Sequence, residues 1–170
     1  GVTPSWSSAK KVQVGTSLSI AQKDHRSLVW FSLAQGILTE TYFPTIDQAQ
    51  IKDAQILVTD GKSFFADEKK SMTHEVEVIS PSLVKMINKD SQERFKIEHV
   101  YFTSNDSSTL IDEVTITANV DGLKFYQLVN SALKNSGFND SVEVKNDRFE
   151  FNEGEINLKV MSSIGYKKMS

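Results

Sequence analysis

Glu40, Asp47, Asp53 and Asp60 fall within one short stretch and are the acids that come first to mind for general acid–base work. That chemistry needs two carboxyl groups on opposite sides of a scissile bond. One keeps its proton to donate it, and the other activates a water. The local patterns point to plainer roles. Asp60 precedes Gly61, a hairpin-turn pair. Asp47 and Asp53 flank a polar segment they would solvate or cap. Glu40 sits in an apolar run, where it would pair locally or with another domain. No second carboxylate is placed opposite any of them, so no catalytic residue is assigned.

The histidines His25, His74 and His99 lie far apart, with no i, i+2 or i, i+4 ligand spacing. His74 and His99 fall on strand faces and read as partly buried residues, each with a backbone partner. Asn105 and Asp106 are adjacent rather than alternating, and no glutamate closes a twelve-residue calcium loop around them. There are no cysteines, which removes disulfides, thiolate catalysis and thiolate-bound zinc. No glycine-rich phosphate loop and no serine in a nucleophile elbow is present. The expected metal and cofactor complement is none.

Aromatic residues carry the remaining binding chemistry, since an exposed ring offers a flat apolar face beside polar groups. Trp30 and Phe31 lie in an apolar run and are assigned to the core. Tyr42, Phe43 and Pro44 end a strand, and Phe64-Phe65 follows a turn. Neighbours on a strand point to opposite faces, so one ring of each pair is open to solvent contact.

The elements that position these residues read as strands. Leu28–Leu33 and Ile37–Phe43 flank a bend at Gly36, and Pro44 stops the second because it cannot donate to a ladder. Asp47–Ala54 is read as a loop, with a helical turn as the alternative, ahead of a strand at Ile56–Thr59. Period-2 alternation then runs through Met72–Val78, and through Phe95, Ile97, His99 and Tyr101. It resumes from Leu110 to Val120 and from Leu123 to Val129. Leu83–Ile87, Ser141–Lys145, Arg148–Phe151 and Ile156–Ser162 are further short strands, and Asn88–Ser91 is read as a turn. Strand after strand with hairpin-length turns means antiparallel sheets packed face to face. The fold class is all-β.

Length and composition agree with one domain, 1–170. With 170 residues, 39% hydrophobic and 24% charged, the chain can bury a core without staples. A net charge of −3 with interspersed signs offers no basic stripe for a phosphate backbone, so nucleic acid is not an expected partner. No apolar run reaches the about 18 residues a spanning helix needs, so no membrane partner is expected either. Gly1 opens the chain without a leader pattern, as after removal of a signal peptide or trimming. The compartment stays open, with a lean towards secreted or periplasmic.

The stretch Trp30–Gly61, WFSLAQGILTETYFPTIDQAQIKDAQILVTDG, resembles the N-terminal domain signature of bacterial glucoamylases and glucodextranases, glycoside hydrolase family 15. Thr39-Glu40, Gly36, Pro44 and Asp60-Gly61 are all in register with that pattern. Ser32, Ala34, Thr41, Phe43, Lys52, Ala54 and Ile56 depart from it. Phe43 and Lys52 give up a phenol and a guanidinium fork. PSWSSAKKVQVGTS, from Pro4, resembles the family's opening segment, with Trp6 as the anchor of the N-terminal arm.

The resemblance implies a large, supersandwich-like antiparallel β-sandwich ahead of an (α/α)6 barrel, here truncated before its last strands. It implies that the catalytic glutamates lie on the barrel. This chain would then be the non-catalytic domain that packs on the barrel and stabilises it. The whole enzyme would release glucose from non-reducing ends of α-glucans with inversion. The implied partners are that barrel and the α-glucan. Glu40, Tyr42, Phe43, Pro44 and Asp47 are the interdomain or substrate-rim candidates. A free-standing carbohydrate-binding module is the alternative reading.

Overall fold

The computed structural model describes residues 13–16, 29–80, 83–104 and 107–168, the first group as backbone only. The expectations for Trp6, His25 and Asn105–Asp106 lie outside the described residues. Strands β1 (Gln13–Thr16), β2 (Trp30–Ala34) and β3 (Ile37–Tyr42) lead to a long β4 (Ala49–Thr59) and a short β5 (Phe65–Asp67). One helical turn, α1 (Glu68–Ser71), hands the chain to β6 (Met72–Ser80), β7 (Leu83–Asp90), β8 (Phe95–Thr103) and β9 (Leu110–Ala118). Then come β10 (Lys124–Ser131), a 3-10 turn (Leu133–Asn135), β11 (Ser141–Val144), β12 (Arg148–Glu153) and β13 (Ile156–Met161).

Every described pairing is antiparallel. The first sheet runs β1-β2-β3-β4-β10, with β5 also paired to β4; the second is the meander β6-β7-β8-β9; the third is β11-β12-β13. The all-β expectation holds.

Two of the expected strand boundaries move by more than two residues. The segment expected to be a loop over Asp47–Ala54 is strand from Ala49 onward. Its Gln, Lys and Asp residues have weak strand preference, but β4 has partners on both sides. Leu38 and Val129 both pair with Ala54, and pairing of that kind overrides propensity. The turn expected at Asn88–Ser91 begins later, because β7 continues to Asp90. Asn88 is fully buried and hydrogen-bonded inside, which keeps it in the strand. The hairpin signal at Asp60-Gly61 is real. The Asp60 carboxylate accepts from the amides of Lys62 and Ser63 at 2.8 Å each, and β5 returns alongside β4.

The core is two apolar clusters between the first and second sheets. One joins Phe31, Leu33 and Leu38 to Val84, Met86 and Tyr101. The other joins Ile56, Val58 and Ala66 to Met72, Phe95 and Ile97. Phe31 is fully buried and Trp30 half-buried. β8 contributes to both clusters, through Phe95 and Ile97 on one side and Tyr101 on the other. His99 falls between them.

Candidate functional site

β3 ends where Pro44, with no amide hydrogen, cannot continue the ladder. The Phe43–Pro44 peptide is cis. The turn that follows closes on itself, with Phe43 N donating to Gln48 O at 3.0 Å and Gln48 N to Thr45 O at 3.1 Å. Asp47 accepts from Thr45 Oγ1 at 2.5 Å. A second anchor comes from far along the chain. Asn135 donates through Nδ2 to Asp47 O at 2.8 Å and accepts from Ala49 N at 2.6 Å. Gln50 donates to Phe43 O, and its own Oε1 accepts from Lys134 N at 3.2 Å. Lys134 and Asn135 both have positive φ, 51° and 67°, which bends the chain back onto the turn.

The five candidate residues therefore divide in two. Pro44 and Asp47 are exposed on this braced turn together with Ile46, which is 59% exposed, and Phe43 is half-buried. Glu40 and Tyr42 lie underneath, both buried. The Tyr42 hydroxyl donates to Glu40 Oε2. Burial, followed by the Glu40 carboxylate, pushes the Tyr42 phenol well up. Within this chain Glu40 pairs locally with Tyr42. Asp53 takes a hydrogen bond from Asn130 Nδ2 at 2.5 Å on the neighbouring strand β10.

A second group, missed in the sequence reading, runs between the two apolar clusters. Ile56 lies on β4 between the residues paired to β3, which reach Ala54, and those paired to β5, which start at Leu57. Its amide donates instead to Glu68 Oε2 at 2.6 Å. The other Glu68 oxygen accepts from Asn88 Nδ2 at 2.7 Å and faces His99 Nε2 at 2.6 Å. Asn88 Nδ2 also donates to Gly36 O at 2.8 Å, so Asn88 Oδ1 is left to accept from His74 Nδ1, also at 2.8 Å. His99 Nδ1 meets the Asp112 carboxylate at 2.9 and 3.0 Å. The partners of His74 and His99 are thus side chains, not the backbone groups expected from sequence.

Both His99 nitrogens face carboxylates, and a neutral imidazole has one N–H to offer. The arrangement suits an imidazolium, which donates from both nitrogens. Burial works against that charge, but the bonds to Asp112 and Glu68 outweigh it and push the His99 pKa up to about 10. Burial likewise raises the Asp112 carboxyl, against the opposing pull of His99. With each nitrogen occupied, His99 has no lone pair for a metal. Glu68 is fully buried, with three donors on its two oxygens, and offers nothing to a substrate. A sequence signal did exist. His74, Asn88, His99 and Asp112 each take an inward period-2 position on successive strands, but their meeting depends on register.

A family model described as glucodextranase, domain N, matches residues 1–170. The chain belongs to that family. A glucoamylase from Clostridium sp. (strain G0005) is 32% identical over 179 residues, covering 100% of this chain and 25% of the relative. Among solved structures, a bacterial glucoamylase complexed with acarbose matches with a TM-score of 0.82 and 31% identity, covering 94% of this chain and 24% of that one. The chain thus spans about a quarter of the length of these relatives, over their N-terminal part. The antiparallel sandwich is the fold of that part.

Proposed function

We propose that residues 1–170 form one non-catalytic β-sandwich domain of a glucoamylase-type glycoside hydrolase, packed on an (α/α)6 catalytic barrel of the same full-length protein. The whole enzyme would release glucose from non-reducing ends of α-glucans by inversion. The observation that carries this reading is the match along the whole chain to a domain that makes up a quarter of longer glucoamylases. The chemistry of the described residues is consistent with it. Inversion needs an acid and a base flanking a water across an open cleft, whereas Glu68 and Asp112 are both spent on one buried imidazolium.

In this reading the exposed turn of Pro44, Ile46 and Asp47 touches the barrel, braced from behind by Asn135 and Gln50. Glu40 and Tyr42 hold the strand beneath it. The test compares the purified 170-residue chain with the full-length protein on maltooligosaccharides. Glucose release is expected from the full-length protein alone, and release by the isolated chain would overturn the assignment.

A second reading, a carbohydrate-binding module, draws on the outer face of the first sheet. There Phe65 and Tyr126 are 64% and 52% exposed on strands flanking β4. Calorimetric titration of the chain with maltoheptaose separates the two readings, since heat of binding at millimolar sugar is expected only from a module.

A further inference from the structure

The polar seam has an architecture that its parts do not need individually. Gly36 O lies in the β2–β3 turn of the first sheet and Ile56 N on its strand β4, while His74, Asn88, His99 and Asp112 supply one residue from each of the four strands of the second. Glu68 on α1 is the junction, bonded to the first sheet through Ile56 and to the second through Asn88 and His99. Gly36 fits there because it has no side chain; a Cβ would lie 2.1 Å from His74 Nδ1 and 2.6 Å from Asn88 Oδ1.

The charge at the centre is unusual for an interior. His99 is 2% exposed and Glu68 is fully buried. The titratable groups around the imidazolium are Glu68 from α1, Asp112 from β9, and Tyr101 from its own strand, whose ring stacks on it at 5.3 Å and 7°. His74 on β6 reaches the cluster through Asn88. Asn88 and the Ile56 amide are the uncharged donors on Glu68. Among the described residues no lysine or arginine is bonded to Glu68 or Asp112, so a proton on the ring is what would place a positive charge between the two carboxylates.

We propose that this seam is a single-proton latch: the proton that makes His99 a donor to both Glu68 and Asp112 holds the first sheet against the second, and alkali releases it. Loss of that proton turns one ring nitrogen into a lone pair facing a carboxylate, leaving the fully buried Glu68 and the half-buried Asp112 with no cation between them. Glu68 also holds Ile56, so the disturbance passes directly to β4.

The direction of the pH effect follows from linkage. A histidine whose folded pKa lies above its unfolded value of 6.5 stabilises the fold fully below pH 6.5, and that contribution disappears as pH rises through about 10. Between those limits the folding equilibrium constant of the chain falls by up to about tenfold per pH unit from this one group.

The test has two arms on the 170-residue chain. In the first, urea unfolding is followed from pH 6.5 to 9.5 for the wild type and for His99→Gln. The wild type is expected to lose stability with a slope approaching one proton, and the variant to lose that part of the slope. Equal slopes overturn the proposal. The second arm needs no variant, so a failure of His99→Gln to fold leaves it intact. Side-chain nitrogen resonances of His99 at pH 8 are expected in the imidazolium range, and the Ile56 amide shift is expected to titrate with the same midpoint as the ring. A neutral His99 tautomer at pH 8, or an Ile56 amide that ignores the ring's titration, overturns it.

Discussion

Gly36 is the residue on which the seam geometry leans hardest. Its φ of 78° disfavours any side chain, and the space a Cβ would need is filled by His74 and Asn88. Gly36→Ala is expected to cost at least about 2 kcal/mol, adding left-handed strain to a displaced buried hydrogen bond. Chemical denaturation measures it, and a cost under 0.5 kcal/mol on the surface-substitution scale would contradict the geometry. Glu68 is the second such residue. Glu68→Ala orphans the Ile56 amide, one Asn88 hydrogen and one His99 nitrogen, in the range of about 3–5 kcal/mol seen when a buried ion pair loses one member. The same denaturation series tests it, with Glu68→Gln expected to recover part of the loss by keeping an acceptor oxygen.

At the scale of elements, the β7–β8 connection shows how a turn is held by charge. Asp90 ends β7 and accepts from Arg94 Nε at 2.7 Å, Nη2 at 2.8 Å and N at 3.1 Å. The Arg94 guanidinium lies 3.8 Å over the Phe64 ring, which ties this turn to the β4–β5 loop. The Arg94 side-chain bond holds the Asp90 carboxyl below its ordinary value of 3.8. A depressed carboxylate stabilises the fold above its unfolded pKa and loses that contribution as pH falls through the folded one. Asp90→Asn is therefore expected to cost about 1.5–3 kcal/mol at pH 7, the range for hydrogen bonds to charged groups. The gap between variant and wild type should narrow below pH 3.8. Unfolding curves at neutral and acid pH check this, and a gap that does not change with pH would refute it.

For the whole molecule, the exposed turn at Pro44–Asp47 gives the proposed barrel contact a direct test. Ile46 is open to solvent in this chain, so Ile46→Asp should leave unfolding of the isolated 170 residues within about 0.5 kcal/mol. In the full-length protein the same change would place a carboxylate in a packed interface. Its melting temperature is then expected to fall. Equal melting of the two full-length proteins would remove this turn from the contact.

The all-β class, most strands and the tight turns were legible in the residues. Alternation of apolar and polar side chains has a period of 2 whatever the neighbours are, and Pro44, Gly36 and Asp60-Gly61 punctuate the chain through backbone constraints of their own. The same alternation placed His99 and Asp112 on inward faces without saying what they would meet. Two things came only from the tertiary structure. β4 starts at Ala49 because β3 and β10 grip it from both sides. Glu68, on a helical turn too short to leave a periodic signal, became the acid that joins two sheets. Each depends on strand register between segments distant in sequence, and register is set by pairing across space rather than by the order of residues along one strand.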